Sequence, residues 1–238
     1  TIMCTAGNAT PYEMTGVPKT DYVIIALGDD DFEVTHDEVF TTEFVQMQHS
    51  LWGLLGFKMV THIYTSIYDA EFCSGRFWPT NHGLVLGPKI GRVVSKTFHA
   101  KEYYNDHNGQ RWVRAVAQGL HRDTNFIPVL RAVIKRTLEL TQHLTPLKVR
   151  LEERIHARDW HEPCEDTYLM IEHLYGLTKK DIDQLEDFIM RVDSLPATLN
   201  HPVLNLIVEY DLNFDDPPRK SRWHPTDDDM VWNDALAG

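Results

Sequence analysis

The sequence predicts an α+β fold: an antiparallel sheet carrying a sharp hairpin and one packed helix, followed by a mostly helical region. Three observations predict it. Two β-rich runs, Val23 to Leu27 and Phe32 to Thr35, flank a glycine and three consecutive aspartates, Gly28-Asp29-Asp30-Asp31, so the chain reverses there. An amphipathic helical pattern and several short strand-like pieces follow, up to about residue 79. Beyond residue 100 the apolar spacing is helical.

Taken in order, residues 1 to 9 start abruptly, without an initiator Met or a cap, as a chain opening inside an element would. Pro11, Gly16 and Pro18 then predict a loop before the hairpin. After the hairpin, Thr35 or Asp37 can cap a helix carrying Val39, Phe40, Phe44, Val45, Leu51 and Leu54, ending near Gly53 or Gly56. Phe57 to Ile63 reads as a strand with Lys58 at its start. Tyr64 to Tyr68, Ala70 to Ser74 and the Gly75-Arg76-Phe77-Trp78-Pro79 exit read as an antiparallel extension of the same sheet. Residues 83 to 91, with three glycines and Pro88, predict a loop leading to Arg92 and Lys96. Helices are expected over 111–121, 125–143, 165–175 and 178–192, with Asn125 and Thr178 as caps and Gly176 as a stop, and a last short one over 202–208. From Glu209 onward eight acidic residues and Pro217-Pro218 predict an extended acidic tail.

Composition narrows the classes. At 238 residues, 42% hydrophobic and 24% charged, the chain can bury a sizeable core. It holds no apolar run near the ~20 residues that span a bilayer, and its first residues lack a signal-peptide pattern. Three widely spaced cysteines, Cys4, Cys73 and Cys164, fit a reducing compartment rather than a disulfide framework. His161-Glu162-Pro163-Cys164 lacks a second cysteine at ligand spacing and reads as a turn into a helix rather than a zinc site. The net charge of -12 hides an asymmetry: residues 76 to 158 hold 15 Lys+Arg against 6 Asp+Glu. A basic middle beside an acidic hairpin suits a polyanion binder with a metal site, whereas clustering on solvated helix faces is the plainer alternative.

The hairpin is where chemistry concentrates. Adjacent carboxylates repel, and a chain that needed only a turn could use Asn-Gly at less electrostatic cost. A divalent cation relieves that repulsion. Mg²⁺ takes one or two protein carboxylates and completes its shell with water and phosphate oxygens, so the turn suits a nucleotide-handling site.

The hairpin, the helix after it, Leu55-Gly56-Phe57-Lys58, Glu71-Phe72-Cys73-Ser74-Gly75-Arg76 and Gly87-Pro88-Lys89-Ile90-Gly91-Arg92-Val93-Val94-Ser95-Lys96 follow one another in an order that resembles the palm and thumb of viral RNA-dependent RNA polymerases. The likeness is to those of positive-strand RNA viruses, nodavirus-like in type, and covers roughly residues 1 to 208. It implies a right-hand polymerase portion with a partial palm over 1–79, a thumb-like helical region over 80–208 and an acidic tail over 209–238. Gly28-Asp29-Asp30 would be the turn of motif C, with Asp29 the principal ligand of Mg²⁺ or Mn²⁺ and Asp30 assisting. Lys58 would be the motif D lysine beside the pyrophosphate. Cys73, Ser74 and Arg76 would lie in the motif E turn that holds the primer or nascent RNA, and Lys89, Arg92 and Lys96 would contact the RNA backbone. If residues 1 to 5 end motif B, Cys4 takes the place of an asparagine that senses the ribose 2′-hydroxyl; Cys is a poor hydrogen-bond partner, so either the register differs or sugar selection rests elsewhere.

The implied partners are template and nascent RNA, nucleoside triphosphates, and the fingers and upstream palm, whose motifs are absent from this sequence. The implied setting is the host-cell cytoplasm, in membrane-associated replication complexes anchored through other segments. The sequence reads as a piece that should not polymerise alone. Two alternatives stand beside this reading. A reverse-transcriptase-like palm would share the two-metal chemistry but favours an aromatic-x-Asp-Asp turn; a noncatalytic RNA-binding or replication scaffold would explain the charge without the motif order.

Overall fold

The computed structural model of the protein describes residues 2–99, 105–147 and 160–212. They form α1 (Ile2–Thr15), β1 (Tyr22–Leu27), β2 (Asp30–Thr35), α2 (Thr42–Leu54), β3 (Glu71–Phe72), β4 (Gly75–Thr80), β5 (Gly83–Pro88), α3 (Ile90–Lys96), α4 (Asp106–Thr124), α5 (Leu130–Leu140), α6 (Glu165–Tyr175), α7 (Lys179–Met190) and α8 (Pro202–Leu212). The class is mixed α+β, but the strands make two sheets rather than one extended sheet: β1-β2, and β3-β4-β5, both antiparallel. The chain divides into two compact units between Tyr64 and Thr65, so residues 65 to 79 group with the helical region instead of with the hairpin.

The first unit opens with a helix where a loop was expected. Pro11 sits inside α1 and removes one backbone donor, normally a cost of about 3 kcal/mol. Packing outweighs it. Tyr12 is fully buried, stacks on Tyr22 at 4.2 Å and meets Phe44 at 4.8 Å. On the same helix a Cβ at Gly7 would lie 2.4 Å from the Trp52 ring, so only glycine lets α1 close on α2. Helix α2 starts later than expected, capped by Thr41, whose hydroxyl accepts from Phe44 N at 3.2 Å, and Gly56 at φ +82 carries the chain out beyond its end. The strand expected over 57–63 is not formed. No neighbouring strand pairs with it among the described residues, and a lone strand leaves its backbone groups unmade. His49 Nε2 and Thr61 Oγ1, 2.9 Å apart, tie this irregular stretch to α2.

In the second unit the glycine-rich stretch is strand β5 followed by helix α3, not a loop. Gly87 is required by contact: a Cβ there would approach Ile127, Phe126 and Trp78 to 3.0 Å or less. Trp78 is fully buried, and the core around it is built from Ile90, Phe126, Leu130, Met170 and Ile182. Helix α5 begins at Leu130, later than expected, because Pro128 and Val129 (φ 71) break the helical path between α4 and α5. Gly176 at φ 68 stops α6 and Thr178 caps α7, both as the sequence predicts. Cys164 caps the start of α6, but the His161 to Cys164 segment enters it extended rather than as a turn, with Pro163 bridging Thr80.

The last correction concerns the tail. Helix α8 runs on to Leu212, so Glu209 and Asp211 are helical; residues 213 to 238 of the expected tail lie outside the described residues. Asp211 is buried beneath β4, and α8 crosses α3 so closely that a Cβ at Gly91 would lie 2.7 Å from Val208 Cα.

Candidate functional site

The turn of the β1-β2 hairpin is two residues long. Leu27 pairs with Asp30, leaving Gly28 and Asp29 as its centre. Gly28 has φ +69 and Asp29 keeps an ordinary negative φ, the sign pattern of a type II′ turn, which requires glycine first and matches the strand twist. Asp29 therefore projects at the tip, while Asp30 is the first residue of the return strand; both are exposed. Beneath the turn, Cys4 on α1 donates its thiol to the Gly28 carbonyl at 3.1 Å, so the helix start and the turn are in contact.

The inner face of the hairpin is polar, which the sequence reading missed. Glu33 lies three residues beyond Asp30, and its Oε2 accepts from the Tyr12 hydroxyl at 2.7 Å and from Gln48 Nε2 at 2.9 Å. Burial pushes the Glu33 carboxyl up to about 7 and also raises Asp31, and burial followed by the neighbouring Glu33 raises the Tyr12 phenol. The period of two along β2 was the available signal: Asp31 and Glu33 must share a face. The outer face carries Val23, Ile25, Leu27 and Val34, all exposed.

Lys58 is exposed in the irregular stretch after α2, within the same unit as the hairpin. Among the described residues no three His, Cys, Asp or Glu side chains converge on one metal position. Asp29 and Asp30 thus supply two oxygen-donor side chains, a set that fits Mg²⁺ or Mn²⁺ binding with water and phosphate oxygens as the remaining ligands.

The other candidates belong to the second unit. Cys73 and Ser74 form the two-residue turn between β3 and β4, at φ 50 and φ 61. Left-handed backbone at two consecutive side-chain-bearing residues costs about 1–2 kcal/mol each, and such turns normally use Asn-Gly. Cys73 is half-buried and Ser74 is exposed.

Arg76 is not offered to RNA. Its guanidinium is buried, bonded through Nη1 to Asp211 at 2.7 Å and to the Tyr175 hydroxyl at 2.8 Å, and through Nη2 to Glu71 at 3.2 Å. Lys89 is also engaged, with Nζ 2.5 Å from the other Glu71 oxygen. Arg92 is half-buried, and Lys96 is exposed in the last turn of α3.

Much of the basic middle has structural work. Arg111 donates to Thr145 O in the stretch after α5, while Arg114 donates to Leu138 O and Arg136 to Val192 O, placing cations on carbonyls at the ends of helices α5 and α7. Arg131 forks onto Glu186 at 2.8 and 2.7 Å. Local positive charge is therefore a weaker sign of RNA binding than it looked. Among the described residues no helix is long and apolar enough to cross a membrane. Comparison with family models, with curated proteins and with solved structures finds no match for this chain.

Proposed function

We propose that this chain is the part of a template-directed RNA polymerase that presents the paired metal-binding aspartates. The observation that carries the reading is the two-residue turn: a glycine at positive φ places Asp29 at the tip and Asp30 at the head of a paired strand, with α1 and α2 packed behind. Pairing and the glycine turn fix the backbone from which the two adjacent, exposed carboxylates project.

Asp29 and Asp30 would hold Mg²⁺ or Mn²⁺. When bound, such ions lower the pKa of an attacking hydroxyl and neutralise charge on a triphosphate. The protein's own part is placement. Pairing of Leu27 with Asp30 fixes the strand that carries the second carboxylate, the Cys4 thiol steadies the Gly28 carbonyl, and the Lys58 ammonium supplies a mobile positive charge for a phosphate leaving group. Ser74 and Lys96, both exposed, are the candidate RNA contacts in the second unit.

The test is primer extension with labelled ribonucleotides by the polymerase that contains this chain. Asp29→Ala should lower incorporation at least about a hundredfold, as expected for losing a charge-stabilising group in a transition state. Undiminished incorporation would sink the assignment.

A further inference from the structure

Three consecutive aspartates cannot all serve a turn in the same way. Strand side chains alternate between faces, so Asp30 and Asp31 point to opposite sides of β2. Asp30 is exposed; Asp31 is half-buried on the face that also carries Glu33. That face lies against α1 and α2, as the bonds from Tyr12 and Gln48 to Glu33 show.

Two buried polar groups converge on Asp31. Asn8 on α1 is only 1% exposed. The Trp52 indole N–H, which can only donate, holds Asn8 Oδ1 at 2.7 Å and so turns the amide nitrogen the other way, where it lies beside the Asp31 carboxylate. That nitrogen has no hydrogen bond of its own in this arrangement. On the other side Glu33 Oε1 is buried and likewise unbonded, while its carboxyl group adjoins Asp31. A buried donor left unmade is costly, and the group positioned to satisfy Asn8 is Asp31.

We infer that Asp31 is a positioning residue and not a third metal ligand: its carboxylate faces inward between Asn8 and Glu33 and anchors β2 to α1, so that Asp29 and Asp30 are presented on a fixed turn. The anchoring stands on the packing alone; its functional consequence rests on reading Asp29 and Asp30 as metal ligands. Trp52 acts one step further out, by setting which end of the Asn8 amide meets the carboxylate.

A charge swap tests this. Asn8→Asp adds a further carboxylate against Asp31, which already adjoins Glu33, and should lower the midpoint of thermal unfolding by roughly 5 °C or more. Adding Asp31→Asn restores one amide facing one carboxylate, still with an acceptor for Trp52, and should recover at least half of that loss. Mn²⁺ binding, followed by electron paramagnetic resonance, separates anchor from ligand. Asp29→Asn should weaken it by ~10-fold or more, whereas the swapped pair should bind as the unmodified protein does. The inference is overturned if Asn8→Asp is harmless, if the swap recovers nothing, or if the swap recovers stability but loses Mn²⁺ as Asp29→Asn does. If Asp29→Asn leaves Mn²⁺ binding intact while the swap rescues stability, the metal reading fails and the anchor remains.

Discussion

Removing the Asp211 carboxylate should be among the most damaging single changes in the second unit. Its Oδ1 takes the Arg76 guanidinium at 2.7 Å, its Oδ2 takes the Gly91 backbone N–H at 2.7 Å, and the Tyr175 hydroxyl lies 3.0 Å from Oδ1. The side chains of Arg76 and Asp211 are 3% and 0% exposed, so neither charge is solvated. Asp211→Ala leaves Arg76 with Glu71 at 3.2 Å as its remaining carboxylate, and Glu71 is a third exposed and already shared with Lys89. Breaking a buried pair from one side costs about 3–5 kcal/mol. The residual Glu71 contact places the expected value near the lower end, about 3 kcal/mol, which for a unit of this size lowers the unfolding midpoint by roughly 6–12 °C. The assay is urea and thermal unfolding of the whole chain, followed by near-ultraviolet circular dichroism. Replacing both partners, Arg76→Met with Asp211→Leu, should recover most of the loss, because apolar packing removes the stranded charge. A cost below about 1 kcal/mol for Asp211→Ala would refute the account of Arg76 as a core ion-pair residue.

Two further outcomes follow from the geometry. Glu33 titrates near 7 in the folded protein and near 4.5 in the open chain, so between those values the folded state binds more protons. Its contribution is therefore complete below about pH 4.5 and is lost as pH rises through 7, by at most about 3 kcal/mol. Glu33→Gln should flatten that slope in unfolding measurements taken from pH 5 to 8, and an unchanged slope would place the titration elsewhere. Ser74→Gly relieves one left-handed residue worth about 1–2 kcal/mol against about 0.5–1 kcal/mol of added chain entropy, so it should stabilise the second unit by roughly 0.5–1 kcal/mol in denaturant unfolding; destabilisation would mean that the hydroxyl does more than occupy the turn.

The elements most legible in the sequence were those governed by local chemistry. The hairpin follows from a glycine between β-branched runs. Gly176 and Thr178 bracket the turn between α6 and α7 through backbone freedom and capping, which need no distant partner. What escaped depends on partners far along the chain. Pro11 argued for a loop, and only Tyr12 stacking on Tyr22 and Phe44 makes a helix there. Phe57 to Ile63 has strand composition but no strand beside it among the described residues. The resemblance put Arg76 in the motif E turn that holds RNA; its guanidinium is bonded instead to a carboxylate 135 residues away. At the candidate site the exposed pair Asp29 and Asp30 was legible, whereas Asn8, Trp52 and Gln48 beneath it were not, since nothing local marks an asparagine or a glutamine as buried.

The closure of α8 over β4 also sets an order of events during synthesis. Arg76 leaves the ribosome long before Asp211 exists, and until α8 arrives its guanidinium must remain hydrated and the strip of α3 around Gly91 uncovered. Contacts that span so much of the chain carry their loop-closing cost before they return any stability. The second unit is therefore completed from its far end: the helices between can form as they emerge, but Arg76, on the central strand of its sheet, acquires its final burial when the last described helix locks into place.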